Sequence, residues 1–328
     1  MMARDGLVHF RGHGRGGANG AVQLWQLGNA MAEISQMLSQ AMVLPFRQPR
    51  RRDHRRPPEL VTEPSRALAP RARGTLLVGA GTLPDEQVID LIHQAGGRRA
   101  RAVVLPVAAY SFAVAGERYR RALQRFGMER LETLGLSTRP QAENPSLAAA
   151  IAGADLILMG GGDAALLLGI LSGTPAEAAL VSALIRGAAV CAVGAAAEAL
   201  GERVLAGPVG TAVECGRGLG LLPGTMVVAA GRNSAHLAAV FGSALTSSVQ
   251  VLVLDDRCTV LIRPGWQAEV RSGTMLAVAP SREGAGQTAG RRPVGEVAVR
   301  VAPAGWKLDL PAGMVLPPGA SADGRAPR

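Results

Sequence analysis

Apolar residues follow two patterns along this chain, and together they predict its architecture. Short, largely apolar runs recur at Thr75–Val78, Ala102–Pro106, Ala154–Met159 and Ala188–Val193, with helical spacing between them at Asp85–Gln94, Tyr119–Phe126 and Leu166–Leu171. Strands covered by helices on both faces lose the apolar-polar alternation of a half-exposed sheet and read as continuous apolar runs. Strand and helix in turn predict an α/β fold, a doubly wound, mostly parallel sheet flanked by helices, with ligands held at the carboxyl ends of the strands. After Ile262 the pattern shifts to short β-prone pieces at Trp266–Val270, Met275–Val278 and Val297–Val301, separated by a Gly/Arg-rich loop from Ser281 to Pro293. These predict C-terminal β-hairpins that close one side of the domain.

Ahead of this region, Leu24, Leu27, Met31, Ile34, Leu38 and Met42 fall on one face of a helix predicted over residues 21–44. Such an N-terminal amphipathic helix has to bury that face against its own domain or a second subunit. Met1–Gly20 is polar and rich in Gly and Arg and reads as disordered, and Arg47–Pro58 reads as a solvated basic linker. The expected organisation is therefore an Arg-rich extension over 1–73, one α/β domain over 74–315 and a disordered tail over 316–328.

Composition narrows the function classes. With 328 residues, 48% of them apolar, the chain can bury one large core or two smaller ones. Residues 1–73 hold 12 arginines against 5 acids, so most of the net charge of +10 lies in the extension. The nearly balanced body has no electrostatic footprint for nucleic acid. An Arg-rich arm that binds nucleic acid or an acidic polymer is a separate alternative, marked by an affinity that falls steeply with salt. Cys191, Cys215 and Cys258 lack metal-site spacing and predict free thiols in a reducing compartment. No apolar stretch free of polar residues reaches membrane-spanning length, and no signal-peptide core opens the chain, so cytoplasmic placement is expected. Gly79-Ala80-Gly81 approaches a dinucleotide fingerprint, but Pro84 takes the third glycine's place; no cofactor and no metal are expected.

Candidate chemistry centres on Arg186–Gly201, which predicts a strand, a tight turn and a helix. Hydrolases place a nucleophile at the apex of such an elbow. With Gly194 as the small residue two positions past the apex, the apex falls on Ala192, a degenerate nucleophile position, beside Cys191. Gly160-Gly161-Gly162-Asp163 ends a strand and opens a helix, so its backbone N–H groups can face an oxyanion while Asp163 caps the helix. His236, in a helix after the strand Met226–Ala229, is a weak candidate base, and Asp256 is a candidate acid to orient one.

In order along residues 74–315, the glycine loop at Gly160–Asp163, Gly173-Thr174-Pro175, the elbow, Gly218–Gly224, Asp255-Asp256 and Val299–Leu310 resemble the serine peptidase family of cyanophycinase and the aspartyl dipeptidases. The resemblance implies a class 1 glutamine amidotransferase-like fold, a homodimer and cleavage of aspartyl peptide bonds, including those of the β-aspartyl-arginine polymer cyanophycin. The family's elbow reads Gly-Thr-Ser-Ala-Gly-Ala. Set on Gly194 and Ala195, it puts Cys191 at the Thr and Ala192 at the Ser nucleophile. The family's histidine falls at Ala229, Ala230 and Gly231, and its acid opposite Asp256.

The expected function is thus a cyanophycinase-like domain that has lost serine hydrolase activity and acts in binding, assembly or regulation, with a peptide or aspartyl peptide as ligand. The alternative is an active hydrolase of aspartyl or β-aspartyl-arginine bonds with Cys191 as nucleophile, since a thiol near a helix N-terminus needs less help from a base than a hydroxyl does.

Overall fold

The computed structural model describes residues 72–81, 83–107, 109, 111–206, 214–229, 249–280, 297–310 and 314–316. Residues 1–71 of the extension predicted over 1–73, His236 and the tail from 317 lie outside these residues.

The strands β1 (Thr75–Gly79), β2 (Arg101–Leu105), β3 (Arg130–Thr133), β4 (Leu156–Met159) and β5 (Ala189–Val193) form the parallel part of one sheet, in the order β1-β5-β4-β2-β3. Beyond β1 it continues antiparallel through β10 (Thr259–Arg263), β11 (Gln267–Ser272), β14 (Lys307–Asp309) and β15 (Met314–Leu316). The helices α1 (Asp85–Gln94) and α2 (Phe112–Arg125) cover one face, where Val88, Leu91 and Leu123 pack on Leu77, Val104 and Cys191. On the other face lie α3 (Arg139–Ala142), α4 (Pro145–Ala152), α5 (Ala164–Leu171), α6 (Pro175–Arg186) and α7 (Ala195–Ala199). This is the doubly wound arrangement that the apolar runs predict.

The alternation does not continue in this sheet past the elbow, however. The strands β6 (Gly201–Ala206), β7 (Glu214–Arg217), β8 (Leu222–Ala229), β9 (Gln250–Leu254), β12 (Thr274–Pro280) and β13 (Val297–Pro303) build a second sheet, ordered β13-β12-β9-β8-β6-β7. The largest core joins the two: Val190, Ala192 and Val260 of the first sheet share it with Leu222, Val227, Leu252 and Met275 of the second. The expected hairpins accordingly divide, β10-β11 in the first sheet and β12-β13 in the second. Apolar runs report that a strand is buried on both faces, a condition that β4 and β5 of the first sheet and β9 of the second all meet. Among the described residues, no single helix is long and apolar enough to cross a membrane.

Candidate functional site

The carboxyl ends of β1, β4 and β5 meet at one edge of the first sheet, and the loops that follow them form the site. Strand β5 pairs with β1 as far as Gly79↔Val193 and with β4 as far as Met159↔Ala192. The chain turns only at Gly194, whose N–H donates to the Gly79 carbonyl at 2.8 Å and whose backbone takes φ 63° and ψ −129°. Side chains are strained there, and glycine enters freely. The apex of the elbow is therefore Gly194. Ala192, where the sequence reading places it, is a fully buried strand residue with its methyl in the core between the sheets. Glycine serves as the turning residue and not as the small residue two positions later.

Cys191 points to the opposite face of β5, packed with Leu77, Val104 and Leu158, and is completely inaccessible. Burial pushes its thiol up to about 12. That is the reverse of an activated nucleophile, which needs a depressed pKa and access.

The glycine loop lies directly against the apex. A Cβ on Gly161 would stand 3.2 Å from the Val193 carbonyl oxygen and 3.7 Å from Gly194 Cα. The loop's donors are partly committed. The Gly160 N–H closes onto the Leu105 carbonyl at 3.3 Å, and the Gly161 N–H faces the Tyr119 hydroxyl. Tyr119 projects from α2, and a methyl group at Gly160 would overlap its ring. Burial raises the Tyr119 pKa, with the Gly161 N–H acting in the opposite direction. Asp163 takes the capping role: its Oδ1 accepts from the N–H groups of Ala165 and Leu166 at 2.8 and 3.1 Å.

Of the adjacent acids, Asp255 is consumed by a turn. Its two oxygens accept from the N–H groups of Arg257 and Thr274 at 2.9 and 2.8 Å. Asp256 is exposed, and its carbonyl oxygen would lie 2.7 Å from a Cβ on Gly81, which places it at the same edge of the sheet as Gly194. The histidine among the described residues, His93, is exposed in the last turn of α1, about a helix length from the end that starts at β1.

Glu198 is the residue that sequence reasoning missed. It stands one turn after the apex on α7, its N–H bonded to the Gly194 carbonyl at 3.2 Å, and its Oε1 accepts from Ala229 N–H at 3.0 Å at the end of β8. The carboxyl thus lies between the elbow and the strand end after which the family's histidine is expected. Burial pushes its pKa up to about 7, opposed by the Ala229 N–H and helped by repulsion from Asp163. Its signal in the sequence was faint, one acid in the small-residue run from Ala195 to Leu200. Behind it, Gly218–Leu222 wraps the end of α7, Leu219 N–H and Leu222 N–H donating to the carbonyls of Ala199 and Leu200 at 2.8 and 2.9 Å.

A doubly wound sheet with a strand-glycine-helix elbow at its carboxyl edge and a glycine loop alongside defines the class 1 glutamine amidotransferase-like fold. A peptidase from an acI-B1 actinobacterium shares it at a TM-score of 0.59 with 18% identity, over 74% of this chain and 99% of the other. The model of peptidase family S51 matches residues 75–268, and the chain belongs to that family. It is 26% identical over 239 residues to the cyanophycinases of Trichormus variabilis and of a Nostoc species, covering 68% of this chain and 80% of each of theirs.

Proposed function

We propose that this chain is an S51-family domain that retains the fold and cleft but no longer hydrolyses peptides by a serine mechanism, and that it binds an aspartyl peptide in that cleft. The observation that carries this reading is the glycine at the apex of the elbow. With the family's Ser at the apex, the pattern Gly-Thr-Ser-Ala-Gly-Ala falls on Ala192, Val193, Gly194, Ala195, Ala196 and Ala197, two residues later than in the sequence reading. The nucleophile position then carries no side chain at all. The last residue of β8 and the two that follow read Ala229-Ala230-Gly231 where the family has its histidine, so nucleophile and base are lost together. The cysteine alternative gains no support from a thiol that is fully buried and protonated.

The test is incubation of the full chain with β-aspartyl-arginine polymer and with aspartyl dipeptides, followed by mass spectrometry, beside calorimetric titration of the same dipeptides. No cleavage, together with saturable binding that is lost when the cleft is filled by Gly194→Trp, is the expected result. Turnover by the unmodified chain would overturn the proposal. Gly194→Ser alone is expected to stay inactive, because a serine hydroxyl without a general base is a weak nucleophile at neutral pH.

A further inference from the structure

The glycine loop carries an acceptor supplied by the protein itself. Tyr119 reaches from α2 to lie against Gly160, where a Cβ would stand 2.8 Å from the phenol oxygen and closer still to the ring. Neither Gly160 nor Gly161 has a positive φ, so backbone conformation demands glycine at neither. At Gly160 it is the Tyr119 ring that excludes a side chain. A phenylalanine ring would pack there as well; what the phenol adds is one oxygen, and that oxygen accepts from the Gly161 N–H. This amide lies beside the apex of the elbow. A side chain entering at Gly194 would begin 3.5 Å from the Gly161 Cα, and a Cβ on Gly161 would in turn stand 3.7 Å from the Ala195 nitrogen. A carbonyl group joined to such a side chain would carry its oxygen over Gly161, where a backbone N–H can stabilise developing negative charge. Gly160 offers no substitute, because its N–H closes onto the Leu105 carbonyl. An N–H has a single hydrogen, so an incoming oxygen must displace the phenol or go without that bond.

We infer that Tyr119 is a built-in occupant of the oxyanion-binding amide of this cleft: its hydroxyl holds the Gly161 N–H that would otherwise take a carbonyl or carboxylate oxygen of a ligand. The inference rests on the reading of Gly194 as the vacated nucleophile position. It adds a third component, the oxyanion donor, to the lost nucleophile and base. A nucleophile returned to the apex therefore acylates slowly while the phenol is in place, and faster once its oxygen is removed.

A thiol at the apex tests this in the full chain. Gly194→Cys, alone and combined with Tyr119→Phe, is treated with p-nitrophenyl acetate, and acylation at position 194 is followed by mass spectrometry. The thiol gives its proton to buffer, the thiolate adds to the ester carbonyl, and p-nitrophenolate leaves from the oxyanion intermediate to give a thioester. Acylation should be about tenfold or more faster in the double variant, whose ring still packs on Gly160. Iodoacetamide, whose loss of iodide passes through no oxyanion, should alkylate both variants at one rate. Equal acylation rates, or a gain matched by an equal gain in alkylation, would overturn the inference. Slower acylation in the double variant would overturn it too, by making the phenol itself the donor. A second readout leaves position 194 unchanged: acetate should shift the Gly161 amide NMR signal in Tyr119→Phe and leave it in place in the unmodified chain. Shifts in both chains, or in neither, would count against the phenol as occupant. Neither measurement involves an aspartyl dipeptide, so both outcomes are independent of whether the unmodified chain binds or cleaves one.

Discussion

Gly194 and Glu198 are one helical turn apart, and the contrast between them bears on what the site can still do. At Gly194 a positive φ is required while space is available: a Cβ would meet Gly161 Cα at 3.5 Å and the Ala80 carbonyl at 3.8 Å, ordinary contacts. Gly194→Ala is therefore expected to cost about 1–2 kcal/mol from backbone strain alone, measured by denaturant unfolding. Glu198 makes the stability of the fold depend on pH. Its folded pKa of about 7 lies above its ordinary value of 4.5, so between those values the folded state binds the extra proton. Stability is then highest below pH 4.5 as far as this group is concerned, and is lost as pH rises through 7, by on the order of 3 kcal/mol. Glu198→Gln should flatten that part of a stability-versus-pH curve. A slope unchanged in the variant would remove Glu198 as its source. At Cys191, iodoacetamide should leave the folded chain unmodified and react fully once it is unfolded, as burial on the face of β5 that α1 and α2 cover requires.

Helix ends and close approaches decide how the loops between elements are held. Thr174 caps α6 from a buried position: its hydroxyl donates to the Leu171 carbonyl at 2.6 Å and accepts from Glu177 N–H at 3.4 Å. Thr174→Ala should lower stability by about 1–2 kcal/mol in thermal unfolding. Gly160→Ala should do more than remove stability, since the new methyl competes with the Tyr119 ring. An overpacking cost of about 1–3 kcal/mol is expected, measured by denaturant unfolding. The elements themselves were largely legible. Asp85–Gln94 matches its predicted bounds residue for residue, while α2 begins at Phe112, seven residues before the predicted start. Strand β3 went unpredicted because Arg130-Leu131-Glu132-Thr133 alternates at an edge of the sheet and carries charge on its outer positions. The elbow is the instructive error. Its existence follows from a small-residue run that ends in glycine, but its apex depends on how far β5 stays paired with β1 and β4. That partner information comes from segments more than 100 residues away in the case of β1.

Taken whole, the molecule hangs two sheets on the short helix α7, which leaves β5 of the first and enters β6 of the second. The Glu198–Ala229 hydrogen bond then ties that helix to a further strand of the second sheet. A chain beginning at Ala72 should fold and keep its thermal midpoint within about 5 °C, since β1, the first strand of the described sheets, begins at Thr75. Loss of the cooperative transition in that truncation would mean that the extension belongs to the core. Periodicity, glycine placement and motif order determined the fold class, the strand-turn-helix elbow and the family resemblance, because local patterns record burial on one or two faces and the turns between elements. Tertiary structure alone decided that the later strands form a second sheet, that Gly194 and not Ala192 turns the elbow, that Cys191 is sealed off from solvent and that Glu198 stands between the elbow and the end of β8. Those outcomes rest on pairing register and desolvation, which arise only when distant segments come together.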